Sequence, residues 1–254
     1  MLAERRHQLI LRALRSAGPA SVTDLSEQLG VSPATVRRDL VKLAEDGLLT
    51  RVHGGAVVEE GDQPFAEVAE VRVAEKDAIA ARAAAMVTDG QSVLLDIGTT
   101  AYRLARRLHG RRLTVITGNL VVYEELADDE GIELVLLGGM VRREYRSLAG
   151  FLTEDNLRQL HADWLFLGTS GVRPGGQVMD ATVVEVPVKR AMIKSGDKVV
   201  LLADSAKFPG TGMARVCGPE DLDVVVTDAP VDPVTRSSLQ EAGVEVVLAG
   251  RVQA

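Results

Sequence analysis

The spacing of apolar side chains predicts two adjacent helices near the amino-terminal end of the chain. Leu25 and Leu29 are four residues apart, and Val36, Leu40 and Leu43 repeat at intervals of four and three residues. This spacing places each set on one buried helix face. We therefore expect two packed helices joined by a short turn.

Turn and cap residues delimit these two helices. Gly30 breaks the first helix, Ser32 is a preferred N-cap for the second, and Pro33 occupies the first helical position. Gly47 closes the second helix as a left-handed cap, and a basic hairpin over residues 49–57 follows it. The pattern predicts a winged helix-turn-helix. An earlier helix over residues 4–17 would contribute a core face of Leu9, Ile10, Ala13 and Leu14.

Beyond residue 75 the chain alternates between apolar runs and helix-like stretches. The apolar runs are Ser92–Asp96, Leu113–Thr117, Ile132–Leu137, Trp164–Leu167, Lys198–Ala203, Val224–Thr227 and Val244–Leu248. The helical stretches include Lys76–Val87, Thr99–Leu108, Leu120–Ala127, Thr153–Leu160, Val183–Lys194 and Pro233–Ala242. Apolar strands separated by helices indicate a parallel sheet covered on both faces.

The expected fold class is α/β, with two domains. We expect a winged helix-turn-helix DNA-binding domain over residues 1–58, a linker over 59–75 and an α/β effector-binding domain over 76–254. The linker segment is acidic and lacks clear apolar alternation. It is interpreted as partly helical after Pro64, with Phe65 docked on one of the domains.

Composition supports a cytoplasmic location. Apolar residues make up 46% of the 254 residues, enough for a sizeable core, and the single cysteine, Cys217, suits a reducing compartment. The sequence has neither a signal-peptide pattern nor a stretch that approaches a membrane span. We expect a soluble protein with no membrane partner.

The charge is divided unevenly along the chain. The net charge is -7, but residues 1–58 hold eight Lys/Arg against six Asp/Glu, a net charge of +2, and the remainder carries -9. A mildly basic segment over residues 1–58 (the head), followed by an acidic remainder, fits a DNA-binding module joined to a sensing domain. Because +2 is a weak charge, we expect paired heads in a homodimer or homotetramer.

The polar face of the second helix is the candidate DNA surface. Thr35, Arg37, Arg38 and Lys42 lie opposite the apolar face, and Gly54 stands in a turn able to approach a phosphate backbone. A helix-turn-helix places such a face in the major groove. The alternative is a pair of surface helices whose basic residues only face solvent.

This stretch resembles the amino-terminal signature of the DeoR-type bacterial transcription regulators. The resemblance is carried by VSPATVRRDLVKLAEDGLLTRVHGGAV, with RRDL and HGGA as its most specific parts. In that family the second helix and the wing hold double-stranded operator DNA. The resemblance implies DNA contact at the matching positions Thr35, Arg37, Arg38, Arg51 and His53.

The first apolar strand of the body is followed by a candidate anion site. Asp96, Gly98, Thr99 and Thr100 lie between that strand and the next helix. Glycine permits close approach of the backbone, and a helix N-terminus offers free N–H groups and a positive dipole. A phosphate suits this loop, although a plain strand-to-helix turn with a threonine cap is the alternative.

The other strand ends add small and polar residues at the edge where an open α/β sheet binds ligands. Each segment alone fits an ordinary turn, but together they favour a pocket for a phosphorylated polar compound. Lys207 would supply positive charge, unless it is only a solvated loop lysine. The candidate residues in these segments are Thr117, Asn119, Gly138, Gly139, Gly168, Thr169, Asp204 and Lys207.

These segments extend the family resemblance over nearly the whole chain. LLDIGTT, VITGN, LLGG, ADWLFLGTSGV and LLADSAKF match the DeoR-type effector domain in the same order. That domain is similar in fold to ribose-5-phosphate isomerase, and the resemblance implies a phosphorylated sugar or polyol effector. One departure is visible, because the second strand end usually reads Thr-Asn-Asn or Thr-Asn-Ser but here is Thr117-Gly118-Asn119. This departure bears on contacts to the non-phosphate part of the ligand.

The alternative function is a sugar-phosphate isomerase with an appended DNA-binding domain. Isomerisation needs a general base, usually a carboxylate, and an acid partner. Known isomerases have adjacent acidic residues where this chain has GTSG at 168–171, and the spacing of Asp180 and Glu185 does not pair them. We expect a transcriptional repressor of sugar or polyol metabolism genes, not an enzyme, with no metal and no cofactor.

Overall fold

The computed structural model describes residues 5–7, 9–10, 13–14, 20–45, 49–52, 55–57 and 64–250. The chain forms two compact units, residues 1–61 and 62–254. Gly47, His53 and Gly54, which the sequence assigns to a helix cap and the wing, lie outside the described residues.

The first unit contains the predicted helix-turn-helix and wing. Helix α1 is Val22–Leu29 and helix α2 is Pro33–Glu45, and Gly30 between them has a φ of 64°. An antiparallel sheet in the order β1-β3-β2 consists of β1 Ala20–Ser21, β2 Thr50–Val52 and β3 Gly55–Val57. The winged helix is thereby confirmed.

Capping and burial explain these helices. The Ser21 hydroxyl accepts a hydrogen bond from the Asp24 N–H at 3.1 Å, and Asp24 accepts from the Ser21 N–H at 3.2 Å, which forms a capping box. Ser32 caps α2 by accepting from the Thr35 N–H at 3.2 Å. Leu9, predicted in the core, is 37% exposed. The core consists of Ile10, Ala13, Leu14, Val22, Leu25, Val36, Leu40, Leu43 and Leu49.

A seven-stranded parallel sheet forms the centre of the second unit. Its strands are β4 Ser92–Leu95, β5 Leu113–Thr117, β6 Ile132–Leu136, β9 Ala162–Gly168, β12 Gly196–Leu202, β14 Val224–Thr227 and β15 Glu245–Leu248. Their order is β15-β14-β12-β9-β4-β5-β6, with every neighbouring pair parallel. All seven apolar runs predicted as strands therefore form this sheet.

Helices cover both faces of the sheet, because successive strand residues point to opposite sides. Leu94 packs into one apolar core with Leu165, whereas Leu95 packs into a second core with Phe166. The helices of this unit are α3 Phe65–Ala69, α4 Val73–Ala84, α5 Thr99–Ala105, α6 Leu120–Leu126, α7 Phe151–Leu157, α8 Val186–Lys194 and α9 Pro233–Glu241.

The apolar pattern does not predict two smaller antiparallel sheets. One pairs β7 Met140–Arg142 with β8 Ser147–Ala149. The other has the order β10-β11-β13 and consists of Gly171–Arg173, Gln177–Asp180 and Ala214–Cys217. These strands have only three or four residues, which is too short for an alternating pattern to be distinctive.

Residues 64–75, which the sequence assigns to the linker, belong to the second unit and contain α3 and the start of α4. Phe65 is 5% exposed, and its ring meets those of Tyr102 and Tyr145 edge-on at centroid distances of 5.9 and 6.0 Å. Aromatic burial thus fixes this segment. Among the described helices, none is both long and apolar enough to cross a membrane.

Candidate functional site

Basic side chains of α2 face solvent on the side opposite its apolar core. Arg37, Arg38 and Lys42 are exposed. Thr35 is half-buried, and its hydroxyl lies 2.9 Å from the Ser32 hydroxyl. The helix therefore presents a positively charged surface to which Thr35 adds a polar group.

The wing residues have different positions. Arg51 is in β2, while His53 and Gly54 are outside the described residues. Gly55 lies in β3 and is buried, where a Cβ atom would come within 2.2 Å of the Ala20 carbonyl oxygen. Packing of β1 against β3 therefore explains the glycine at 55 without any DNA contact.

A buried carboxylate anchors α2 to the helical residues that precede it. Asp39 is 6% exposed and accepts hydrogen bonds from Arg6 Nε at 2.5 Å and Arg6 Nη2 at 2.9 Å, while His7 Nε2 lies 3.0 Å away. Burial raises the pKa of Asp39, but the hydrogen bonds from Arg6 and His7 outweigh burial and hold the pKa below its usual value. Asp39 thus positions the helix that carries the basic surface.

Asp96 and Gly168 meet at the carboxyl edge of the parallel sheet. The Gly168 N–H donates to Asp96 Oδ2 at 2.8 Å. The Lys189 ammonium, from α8, forms an ion pair with the same oxygen, donates to the Gly168 carbonyl at 3.1 Å and lies 3.5 Å from Asp180. Burial opposes the charge on Lys189, but Asp96 and Asp180 outweigh it and raise the pKa of Lys189. Asp96 is therefore one half of a buried ion pair.

The loop after β4 leads directly into α5. Gly98 is the N-cap residue, and no side chain caps the helix. Thr99 is 4% exposed and Thr100 is half-buried. A Cβ atom on Gly98 would lie 4.0 Å from the Gly168 Cα, so the two strand ends approach closely. The first-turn N–H groups have no partners inside the helix and form the polar part of this loop.

The polar side chains after β5 are directed mainly at the protein itself. Thr117 is fully buried, donates its hydroxyl to the Leu95 carbonyl at 2.9 Å and accepts from the Asn119 N–H at 3.0 Å. Asn119 Oδ1 caps α6, while its buried Nδ2 has no hydrogen-bond partner among the described residues. A Cβ atom on Gly118 would lie 3.3 Å from the Leu148 carbonyl oxygen. Gly118, where the sequence departs from the usual family pattern, therefore lies next to β8.

Two further candidate segments also make internal contacts. Gly138 is an exposed residue and Gly139 is half-buried. The Gly138 N–H donates to Asn156 Oδ1 at 2.7 Å. The Thr169 hydroxyl lies 2.8 Å from the Met179 carbonyl oxygen in β11. These contacts tie the strand ends to α7 and to the small β10-β11-β13 sheet.

Charged side chains of both signs lie at the end of β12. Asp204 is 3% exposed, accepts from the Ala206 N–H at 2.9 Å and lies 2.9 Å from Arg72 Nε, while Arg72 Nη2 reaches Asp228 at 3.0 Å. The half-buried Lys207 ammonium has neither a hydrogen bond nor an ion pair with any residue that the structure describes. Burial lowers the pKa of Lys207. Lys207 is thus a cation available to an anionic ligand.

Sequence reasoning missed three cations at this edge, Arg72, Lys76 and Lys189. Lys76 and Lys189 lie in helices and Arg72 directly precedes α4. Because Lys189 is also 93 positions from its partner Asp96, strand-end motifs do not reveal these cations. The available signal is a lysine within the apolar stretch VPVKRAMI, because a buried lysine requires a charged partner.

The two carboxylates considered for isomerase chemistry are each held by cations. Glu185 is 1% exposed, forms an ion pair with Arg142 and accepts from the Ser147 hydroxyl at 3.1 Å. Asp180 faces Lys189 at 3.5 Å. Across the described part of the chain, no group of three or more His, Cys, Asp and Glu side chains is arranged to hold a metal ion.

Comparisons with known proteins place both parts of the chain in one family. Residues 6–61 match the DeoR-like helix-turn-helix domain, and residues 71–229 match the DeoR C terminal sensor domain. Among solved structures, ribose 5-phosphate isomerase A from Methanocaldococcus jannaschii has a TM-score of 0.39 and 18% identity, covering 52% of each chain.

Full-length relatives agree with the family matches. The HTH-type transcriptional regulator GolR of Listeria innocua is 34% identical and covers 98% of this chain and 100% of its own. The glycerol-3-phosphate regulon repressor of Escherichia coli is 34% identical, over 91% of this chain and 92% of its own. The resemblance found in the sequence is therefore confirmed, and the chain belongs to the DeoR family of transcriptional regulators.

Proposed function

We propose that this protein represses genes of sugar or polyol metabolism by binding operator DNA, and that a phosphorylated sugar or polyol controls this binding. One observation carries the proposal. The chain combines an exposed basic helix in one unit with a polar strand edge in another, where Lys207 has no ion-pair partner among the described residues. The names of two relatives support it, the glycerol-3-phosphate regulon repressor and a putative aga operon transcriptional repressor of Escherichia coli, the latter 32% identical over 98% of this chain.

In the proposed DNA complex, α2 enters the major groove and the wing contacts the backbone. Arg37, Arg38 and Lys42 would supply charge-assisted contacts to phosphates and base edges. Arg51, with His53, would extend the contact along the wing. The exposure of the three α2 side chains supports this assignment.

In the proposed effector complex, the phosphate lies at the loop after β4. Backbone N–H groups at Gly98, Thr99 and Thr100 would donate to its oxygens, and Lys207 would offset its charge. The unpartnered amide Nδ2 of Asn119 would bind a hydroxyl of the ligand. The remaining candidates would form the walls of the pocket, namely Asp96, Thr117, Gly138, Gly139, Gly168, Thr169 and Asp204.

We further propose that two copies pair to bind one operator. A head of charge +2 neutralises few phosphates, and palindromic sites require two heads. An apolar surface on β7 and the start of α7 supports pairing through the sensor domain. Met140, Val141, Phe151 and Leu152 are 59%, 58%, 66% and 48% exposed there, and large exposed apolar patches mark interaction surfaces.

The proposal assigns no general base for sugar-phosphate turnover, because Asp180 lies beside Lys189 and Glu185 pairs with Arg142. A thermal-shift series tests effector binding directly. Glycerol 3-phosphate and ribose 5-phosphate are compared with glycerol and ribose, and isomerase activity is assayed in the same samples. We expect stabilisation by a phosphorylated member only, since bound ligand at 100 times its Kd adds about 2.7 kcal/mol. The proposal would be contradicted if each phosphorylated compound and its dephosphorylated counterpart shifted the melting temperature equally. Isomerase turnover above background would also contradict it.

A further inference from the structure

The hydrogen-bond partner of the Lys76 ammonium is a backbone carbonyl group and not a carboxylate. The residue is 4% exposed, and its ammonium donates to the Val68 carbonyl oxygen at 2.6 Å. Val68 lies in the last turn of α3, and its carbonyl group also accepts from the Val71 N–H at 3.3 Å. Arg103 likewise donates to the Ala69 carbonyl at 3.0 Å. Two cations therefore hold the carboxyl end of α3.

These two cations differ in how their charge is balanced. Arg103 pairs with Asp77 at 2.9 Å, but no carboxylate among the described residues lies within ion-pair distance of Lys76. The nearby carboxylate of Asp204 is already engaged by Arg72 at 2.9 Å. At this edge, Lys76 and Lys207 are thus the cations that have no carboxylate within ion-pair distance among the described residues.

The surroundings of Lys76 oppose its charge. The pKa of Lys76 is lowered to about 8, mainly by burial and also by the charges of Lys207, Arg103 and Arg72, while Asp204 partly offsets them. A phosphate dianion at this edge would reverse the balance, since an opposite charge within several ångströms favours the protonated ammonium.

We propose that Lys76 is the residue that transmits effector binding to α3: the bound phosphate draws its ammonium away from the Val68 carbonyl. This inference rests on the proposed effector site and deepens it. The carboxyl end of α3 then loses one of its two cationic partners. Because α3 is the first described element after the boundary at residues 61 and 62, the change occurs where the sensor domain begins.

Proton uptake is the distinguishing consequence. A free Lys76 with a pKa of about 8 is about half protonated at pH 8, so binding at that pH takes up about half a proton. In the ligand-free protein Lys76 is almost fully protonated at pH 7 and mostly deprotonated at pH 9. The Kd should therefore rise about tenfold over this range, in which a phosphate monoester with a second pKa near 6 stays dianionic.

The test is calorimetric titration of the full chain with glycerol 3-phosphate and with ribose 5-phosphate. Titrations at pH 7, 8 and 9, each in two buffers of different ionisation enthalpy, give the Kd and the protons taken up. Lys76→Gln keeps a hydrogen-bond donor for Val68 but removes the charge. Lys198→Met is the matched control, because Lys198 is exposed on the other end of β12. Melting temperatures establish that each variant is folded.

We expect wild type and Lys198→Met to take up about half a proton at pH 8. Lys76→Gln should bind about tenfold more weakly at pH 7. It should also take up fewer protons at pH 8 and depend less on pH than wild type, with Lys207 as the remaining cation of lowered pKa. Hydrogen exchange of the α3 amides should rise on binding in wild type and remain unchanged in Lys76→Gln. If wild type binds the ligand and Lys76→Gln shows the same proton uptake and the same hydrogen exchange as wild type, the role of Lys76 is overturned. The proposed effector site would still stand. If neither compound binds wild type, the proposed effector class fails, and this inference with it.

Discussion

The Gly168 N–H donates to the Asp96 carboxylate at 2.8 Å, which joins the carboxyl ends of β9 and β4. The same carboxylate forms a buried ion pair with Lys189. A loop adjacent to this pair, Gly98 to Thr100, is the proposed phosphate site. The ion pair therefore fixes two neighbouring strand ends at the edge where the effector would bind.

Removing Lys189 should destabilise the sensor domain strongly. Lys189→Met leaves Asp96 and Asp180 as uncompensated buried carboxylates, and breaking a buried pair in this way costs about 3–5 kcal/mol. Chemical denaturation measures the change in the free energy of unfolding. Lys198→Met is the control, because Lys198 and Asp223 form an exposed pair, and exposed pairs contribute little to stability. Equal losses in the two variants would refute the structural role assigned to Lys189.

Arg38→Ala should weaken operator binding without affecting effector binding. Loss of a base contact costs about 1–3 kcal/mol, and loss of a phosphate contact should lower the salt dependence of binding. Fluorescence anisotropy at fixed salt with a selected operator measures the loss. Arg112→Ala serves as the control, since its side chain is 84% exposed within the sensor domain. An unchanged operator Kd for Arg38→Ala would exclude this side chain from the interface.

Thr99→Asp should abolish the effector response while leaving operator binding nearly intact. The carboxylate places negative charge against the proposed phosphate, whereas Thr99→Ser retains the hydroxyl and should respond normally. Both variants are titrated with operator in the presence and absence of the phosphorylated compound that stabilises wild type most. A full response in Thr99→Asp would place the phosphate elsewhere.

The apolar surface of Met140, Val141, Phe151 and Leu152 should mediate pairing. Light scattering should give at least a dimer for wild type at micromolar concentration, and Phe151→Glu should shift it towards monomer by burying an unpaired charge. Val234→Glu is the control, because Val234 is 60% exposed on α9. A wild-type monomer with and without DNA would contradict the pairing proposal, and a Phe151→Glu dimer would exclude this surface.

The sequence predicts the elements of the fold well, because burial on two faces leaves a strong signal. Each strand of the parallel sheet is a short apolar run, such as Leu113–Thr117, which lies between two helical stretches. The winged helix is equally visible, since Gly30, Ser32 and Pro33 mark its turn. The β7–β8 hairpin leaves no comparable pattern, because each of its strands has only three residues.

The chemistry of the strand edge is less accessible to sequence reasoning. Asp96 is a plausible ligand contact by position, yet its partner Lys189 is 93 residues away and can be identified only from tertiary structure. Lys76 similarly gives no sign in sequence that it holds the Val68 carbonyl. Pairing between distant charges depends on the fold, so motifs at strand ends indicate where a site lies but not which groups are already engaged.

The measurement that tests the central claim most directly is the operator Kd of the wild-type chain with and without a stabilising phosphorylated compound. Coupling between two such sites is typically ~1–3 kcal/mol, so we predict a change in operator affinity of roughly 5–150-fold. The dephosphorylated counterpart should leave the Kd unchanged. An operator Kd that is the same with and without every phosphorylated compound that binds the protein would contradict control of this regulator by a sugar or polyol phosphate.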